Sequence, residues 1–156
     1  MSEFIQFAKD KLNEISNTYQ SIEEKKQKIY ISDVVNDVHN LDSFLLIVRE
    51  SLNRLGIDFK SIIPTCISIL DSKANDYSNK NDRYSCFGRT FQLARLCGST
   101  SRETNDVFIN DFCQKIARIE NLLQNNIDPK NESLIDSFID LINYRLLFEG
   151  YKMGLQ

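Results

Sequence analysis

Apolar residues recur at every third or fourth position along most of this chain, the spacing that places side chains on one face of an α-helix. Strict alternation of apolar and polar residues, which is typical of a half-buried strand, is nearly absent. The pattern therefore predicts an all-α fold. The predicted helices cover about residues 3–29, 41–55, 61–75, 83–97, 101–124 and 131–152.

We expect these helices to form a single domain over residues 1–156. The last four would make a helical bundle over residues 60–152, and the first two would make an N-terminal helical hairpin, residues 1–56, packed on that bundle. The first predicted helix carries a narrow heptad stripe of Ile5, Ala8, Leu12, Ile15, Tyr19, Ile22 and Ile29. Such a helix either lies across its own domain or pairs with a second subunit, and the second interpretation predicts a homo-oligomer.

A few residues indicate where the other helices begin and end. Gly56 is a natural stop for the second helix. Pro64 lacks an N–H group, so it is expected in the first turn of the third helix. Ser101 or Thr104 is expected to cap the start of the fifth. The fifth helix has a predicted core stripe of Phe108, Phe112, Ile116, Ile119 and Leu123.

Composition narrows the class of protein. A formal net charge of −3 gives no global basic field, so a nucleic-acid partner is not expected. The sequence contains no run of 18 apolar residues, so a membrane-spanning helix is not expected. Its N-terminus lacks the pattern of a signal peptide, so secretion is not expected. None of the four cysteines forms a C-x-x-C pair, which favours buried free thiols over a zinc site. These features together predict a protein of the cytoplasm.

The last predicted helix contains three carboxylates at a spacing of four residues, Glu132, Asp136 and Asp140. At this spacing like charges lie on one face and repel by roughly 0.2–0.5 kcal/mol per pair. Asp136 and Asp140 are also flanked by apolar residues, so at least one of them should be partly buried. Because a partly buried carboxylate needs a partner, we expect a cation to face this helix.

Three clusters could converge in an antiparallel bundle. They are Lys73, Asp76 and Tyr77; Asp111, Lys115 and Arg118; and Glu132, Asp136 and Asp140. Carboxylates in such a bundle suit Mg²⁺, and Lys and Arg beside them would hold phosphate oxygens. Tyr77 or Tyr144 could then stack on a base or bond a ribose. The simpler alternative is that the charges form only interhelical salt bridges, worth about 0–1 kcal/mol each at a surface.

The order of these motifs resembles a known family. Lys73-x-x-Asp76-Tyr77 is followed by a Phe-rich helix, by Lys115-x-x-Arg118, and by Glu132-x-x-x-Asp136-x-x-x-Asp140-x-x-Asn143-Tyr144. This arrangement looks like the nucleotide modification associated domain 1 family, which is common in bacteriophages. That family is similar in layout to the all-α nucleotide pyrophosphatases of the MazG and dimeric dUTPase type. The resemblance covers about residues 60–150.

The resemblance implies a nucleotide-binding domain that uses Mg²⁺, in the cytoplasm of a bacterial host if the protein is phage-encoded. It implies metal ligands at Asp76, Glu132, Asp136 and Asp140, and catalytic roles for Asp136, Asp140 and Lys115. It implies nucleotide contacts by Lys73, Tyr77, Lys115, Arg118 and Tyr144. In the pyrophosphatases an E-x-x-E pair on one helix and an E-x-x-D pair on another hold the metal. No E-x-x-E pair is found here.

The sequence is therefore compatible with three functions. The first is Mg²⁺-dependent hydrolysis of a nucleoside phosphate. The second is a non-catalytic protein that sequesters or senses a nucleotide, which the missing acidic pair favours. The third is a helical protein–protein interaction module that assembles through the stripe over residues 5–29.

Overall fold

The computed structural model describes residues 2–18, 39–77, 81–128 and 132–156, without the side chains of Asn75 and Tyr77. Within these residues the chain forms six α-helices, which confirms the all-α prediction. They are α1 (Glu3–Asn17), α2 (Leu41–Arg54), α3 (Phe59–Tyr77), α4 (Ser85–Leu96), α5 (Thr104–Gln124) and α6 (Leu134–Met153). None of the helices in this part of the chain has the length and apolar character needed to cross a membrane.

Helix α6 lies at the centre of the bundle. It packs against α2, α3 and α5, while α1 packs on α2 and α3, and α4 packs on α5. Phe138, Leu141, Ile142 and Leu146 of α6 are fully buried. Helices α1 and α2 contribute to the same hydrophobic cluster as α3, α5 and α6, and Phe87 of α4 packs against that cluster. The predicted stripe residues Ile5, Ala8, Leu12 and Ile15 are accordingly buried inside this chain.

The first helix ends earlier than predicted. Thr18 has an extended backbone, so the prediction of one helix over residues 3–29 is wrong at its C-terminal side. The Arg49 guanidinium donates hydrogen bonds to the backbone carbonyls of Ile15 and Thr18, at 2.6 and 2.7 Å. A cation there satisfies carbonyls that a continuing helix would have used. The rest of the predicted stripe, from Tyr19 onwards, lies outside the described residues.

Helix α2 ends as predicted, with Gly56 at a φ of +76°. Helix α3 begins two residues early, because Asp58 accepts a hydrogen bond from the Lys60 N–H at 3.2 Å and the Ser61 hydroxyl donates to the Asp58 carbonyl at 2.6 Å. Pro64 therefore lies inside the helix, and its predicted place in the first turn is wrong. Lys60 and Pro64 are both exposed, so water can reach the carbonyl that the proline leaves without a donor.

Helices α5 and α6 also start at residues other than those predicted. Glu103 is the N-cap of α5, and the Asp106 carboxylate accepts from the backbone N–H of Glu103 at 3.2 Å, so neither Ser101 nor Thr104 is the cap. Ser133 caps α6 by accepting from the Asp136 N–H at 3.0 Å.

Three predictions about side-chain position are wrong in whole or in part. Glu132 precedes the α6 cap, so it does not stack on Asp136 and Asp140 within one helix. In the α5 stripe, Leu122 is buried and Leu123 is 39% exposed. The four cysteines are free, but only Cys66 is buried as predicted, since Cys86 is half-buried and Cys97 and Cys113 are exposed.

Candidate functional site

A cavity of about 150 Å³ lies between α3, α4, α5 and α6. Its apolar walls are formed by Ile69, Leu70, Ala74, Phe87 and Leu147. Its other lining residues carry polar or titratable groups: Lys73, Arg83, Cys86, Thr90, Asp111, Asp140, Asn143 and Tyr144. A cavity with apolar walls and a few convergent polar groups is typical of a small-molecule site.

Helical spacing explains why these residues meet. Asp140, Asn143, Tyr144 and Leu147 are separated by three, one and three residues, so they share one face of α6. On α3, Leu70, Lys73 and Ala74 follow the same rule. Arg83 lies just before α4 and brings positive charge to the cavity from that side.

Two acidic residues line the inner side of the cavity. Asp111 is half-buried on α5, and no hydrogen bond or ion pair joins its carboxylate to another described residue. Burial raises the pKa of Asp111, and the nearby Lys115 charge only partly offsets this effect. Asp140 on α6 is also half-buried, and its Oδ2 lies 3.0 Å from Lys115 Nζ. The cavity therefore contains one paired and one unpaired carboxylate.

Asn143 is a neutral polar residue of the same wall. Its Nδ2 donates to the Cys66 carbonyl at 3.2 Å, and this contact fixes which end of the amide carries the oxygen. Asn143 is only 5% exposed, and no described donor reaches its Oδ1. Burial raises the pKa of the adjacent Cys66 thiol to about 12, so that thiol stays protonated and uncharged.

Beside the cavity, α5 and the start of α6 are joined by a charged network. Lys115 Nζ lies 3.2 Å from the Glu132 carboxylate and 3.0 Å from that of Asp140. The Ser137 hydroxyl donates to Glu132 at 3.0 Å, and Arg118 donates to Ser137 Oγ and to the Glu132 carbonyl. We call Lys115, Arg118, Glu132, Ser137 and Asp140 the α5–α6 network.

Protonation states in the network follow from these contacts. Burial raises the pKa of Glu132, but hydrogen bonds from Ser137 and Lys115 and the charge of Arg118 outweigh it, so that the pKa falls below its usual value. Burial lowers the pKa of Lys115, and the hydrogen bonds and charges of Asp140 and Glu132 outweigh that effect and raise it. Both groups are therefore held in their charged forms.

The structure brings some of the predicted site residues together and leaves others apart. Four of them, Lys115, Arg118, Glu132 and Asp140, meet in the α5–α6 network, where they pair with one another. Lys73, Asp140 and Tyr144 line the cavity. Asp136 is exposed near the start of α6, and Asp76 is exposed near the end of α3. The side chain of Tyr77 lies outside the described part of the structure.

The described carboxylates do not form the cluster that the predicted Mg²⁺ site requires. In the part of the chain that the structure describes, no three His, Cys, Asp or Glu side chains come close enough to hold one metal ion. Glu132 and Asp140 do approach each other, but the Lys115 ammonium occupies the position between them. A divalent cation would have to displace that ammonium to reach both oxygens.

Sequence reasoning gave no role to several residues that line the cavity. Asn143 lies three residues after Asp140, so helical spacing alone could have placed it on the same face. Asp111 lies four residues before Lys115, and the sequence pattern places both in one cluster without giving Asp111 a role of its own. No pattern in the sequence indicates that Arg83 and Thr90 line the cavity, because their position there depends on how α4 packs on α5.

No protein-family model, curated protein or solved structure matches this chain. The comparisons therefore give no support to a relationship with the nucleotide modification associated domain 1 family.

Proposed function

We propose that the protein binds a nucleotide, with the base inside the cavity and the phosphates on its solvent side near Lys73. The observation that carries the proposal is a cavity with apolar walls on which cationic and acidic side chains converge. Sites that enclose a whole drug-sized ligand measure about 300–1,000 Å³. A volume of about 150 Å³ is smaller than that range, so it suits the ring of a ligand whose remainder stays outside.

The apolar part of the cavity suits a flat ring. Phe87 stacks on Phe108 with ring centroids 4.0 Å apart and an interplanar angle of 15°. This contact holds the Phe87 ring in place at the cavity wall without any need for ligand. Tyr144 on the opposite helix lines the same cavity, which supports its predicted role against a base or a ribose.

The positive charge at the cavity suits phosphate. Lys73 is exposed, and no ion pair joins it to another described residue, so its ammonium can reach an anion in solvent. Arg83 is held in place, because its guanidinium donates to Ser2 Oγ at 2.9 Å and lies 4.9 Å above the Phe4 ring. Lys115 and Arg118, by contrast, already have acceptors in the α5–α6 network. We therefore assign the phosphate contact to Lys73.

Binding is favoured over Mg²⁺-dependent hydrolysis. The described carboxylates do not form a group that could hold the metal, and two of the predicted ligands share Lys115 instead. Hydrolysis stays a prediction, and one incubation tests it. Chromatography after incubation with a nucleoside triphosphate and Mg²⁺ should return the nucleotide intact. Release of phosphate or pyrophosphate that is lost in Asp140→Asn would instead support the hydrolase.

Calorimetry with nucleoside mono-, di- and triphosphates tests the binding proposal. We expect at least one nucleotide to bind, and Lys73→Gln to weaken its binding about five- to tenfold through loss of a charge-assisted contact. Lys60→Gln is the matched control, since Lys60 is exposed on the same helix and does not line the cavity. Absence of heat and of any thermal shift with every nucleotide would overturn the proposal.

A second candidate function is self-assembly through α4. None of the α4 residues is fully buried, and Leu93 and Leu96 are 45% and 80% exposed. Neighbouring exposed leucines are a common feature of interaction surfaces. Light scattering on wild type and on a Leu93→Gln/Leu96→Gln variant tests this candidate. A monomeric wild type would remove it, and Leu123→Gln on α5 serves as the control substitution.

A further inference from the structure

We propose that the cavity selects nucleotides whose base carries an exocyclic amino group, an inference that depends on the nucleotide binding proposed above. The inference follows from the hydrogen-bonding groups of the cavity wall, because α5 and α6 contribute acceptors to which no described donor is bonded.

Two carboxylates in this wall have unused acceptor capacity. No hydrogen bond or ion pair joins the Asp111 carboxylate to another described residue. Asp140 uses its Oδ2 with Lys115, and no described donor reaches its other oxygen. Both side chains are half-buried and line the cavity, so water meets these oxygens when the cavity holds no ligand. A ligand that displaces this water keeps its affinity only if it donates hydrogen bonds in the water's place.

Donors that line the same cavity are already engaged or lie at its exposed side. The Thr90 hydroxyl donates to the Cys86 carbonyl at 2.7 Å, and the Arg83 guanidinium donates to Ser2. Lys73 is exposed on α3. These donors therefore do not satisfy Asp111 or the second oxygen of Asp140, and donors for both have to come from the occupant or from water.

The two signs of charge also lie on different elements. The cations Lys73 and Arg83 come from α3 and from the turn before α4, whereas the carboxylates Asp111 and Asp140 come from α5 and α6. A nucleotide with an amino-bearing base has donors at one end and phosphate at the other. A base with a carbonyl at the position of the amino group would turn an acceptor toward the acidic wall, and two facing acceptors repel.

Matched nucleotide pairs test this selectivity on the unmodified protein. Adenosine and inosine monophosphates differ by an amino group against a carbonyl at one ring position, and so do cytidine and uridine monophosphates. The carbonyl member of each pair has one N–H donor, on the adjacent ring nitrogen, whereas the amino group of the other member offers two N–H donors to the two carboxylates. We expect the amino member of the pair that binds to have a dissociation constant about tenfold lower or more, measured by calorimetry at pH 7.

The possible results separate the two proposals. Equal affinities within each pair, or preference for the carbonyl member, would overturn the selectivity and leave nucleotide binding intact, with water satisfying the wall. No binding of any of the four, while another nucleotide of the calorimetric series binds, would overturn the selectivity alone. No binding of any nucleotide in that series would overturn both proposals.

A variant identifies the group responsible. Asp111→Asn keeps the size of the side chain but gives the wall a donor of its own, so the amino-to-carbonyl affinity ratio should fall toward one. Glu120→Gln is the matched control on the same helix, away from the cavity, and it should retain the ratio. Circular dichroism melts confirm that both variants fold. An unchanged ratio in folded Asp111→Asn would overturn the role given to this carboxylate.

Discussion

Asp111 and Lys115 lie one helical turn apart on α5, yet their surroundings differ in kind. Lys115 has two carboxylate partners in the α5–α6 network, at 3.0 and 3.2 Å. Asp111 lines the cavity, and no hydrogen bond or ion pair joins it to the described residues. Charges that satisfy one another hold two helices together, whereas a half-buried charge without a donor lowers stability and is a candidate for contact with a ligand. The comparison places the candidate site at Asp111 and the ion pairs that join α5 to α6 at Lys115.

Removing the central cation should have the largest effect on stability. Lys115→Met keeps the length of the side chain but leaves Glu132 and Asp140 partly buried without their shared partner. We expect the free energy of unfolding to fall by about 2 kcal/mol, between the effects of breaking an exposed and a buried ion pair. Urea denaturation at pH 7 measures it. A loss below about 0.5 kcal/mol would show that the network contributes little.

Neutralising the unpaired carboxylate should act in the opposite direction. Burial disfavours the charged form of Asp111, so Asp111→Asn should leave the free energy of unfolding unchanged or raise it. The gain should stay within about 0–1 kcal/mol, because solvent still reaches this half-buried side chain. The same denaturation experiment applies. A clear loss of stability would mean that Asp111 has a structural partner after all, and the contrast with Lys115 would disappear.

The pH dependence of stability should also differ in sign between the two regions. The raised pKa of Asp111 means that its contribution is most favourable at pH below about 3.9, its unfolded value, and is lost as pH rises through the folded pKa. The lowered pKa of Glu132 means that its contribution is present above about 4.3 and is lost as pH falls through the folded pKa.

Melting curves of wild type, Asp111→Asn and Glu132→Gln between about pH 3 and pH 7 check this contrast. Relative to wild type, Asp111→Asn should gain stability as pH rises through that interval, and Glu132→Gln should lose it. Parallel curves for the two variants would contradict the assigned pKa directions.

Helix content could be predicted from the sequence because periodicity reports which residues share a face, and the face decides burial. The ends of helices were predicted less well, because distant groups determine them. Arg49 meets the end of α1 from 31 and 34 residues away, and no local pattern indicates that contact. Glu132 shows the same limit, since Ser133 starts α6 and leaves Glu132 outside the helix, where it still reaches Lys115.

Only part of the candidate site could be predicted from the sequence, and the reason is related. Charge spacing indicated that three clusters of residues could converge. Lys115, Arg118, Glu132 and Asp140 do meet, whereas Asp76 and Asp136 are exposed away from them. Spacing on single helices does not report which charges pair across helices, so it could not separate Lys115, which is satisfied, from Asp111, which is not. That distinction depends on how α3 and α4 close over one side of α5 and α6 to form the cavity.

Asp136 should give the smallest effect. Sequence spacing made it equivalent to Asp140, but it is exposed in the first turn of α6 and does not line the cavity. Its carboxylate contributes mainly through the helix dipole, which favours a negative charge in the first turn by about 0.3–1 kcal/mol. We expect Asp136→Asn to lower the free energy of unfolding by about 0.5 kcal/mol or less and to leave nucleotide affinity within twofold of wild type.

Asp140→Asn is the matched comparison, because Asp140 contacts Lys115 and lines the cavity. Equal losses of affinity in the two variants would mean that the cavity is not what distinguishes these carboxylates, and that the binding site lies elsewhere on α6.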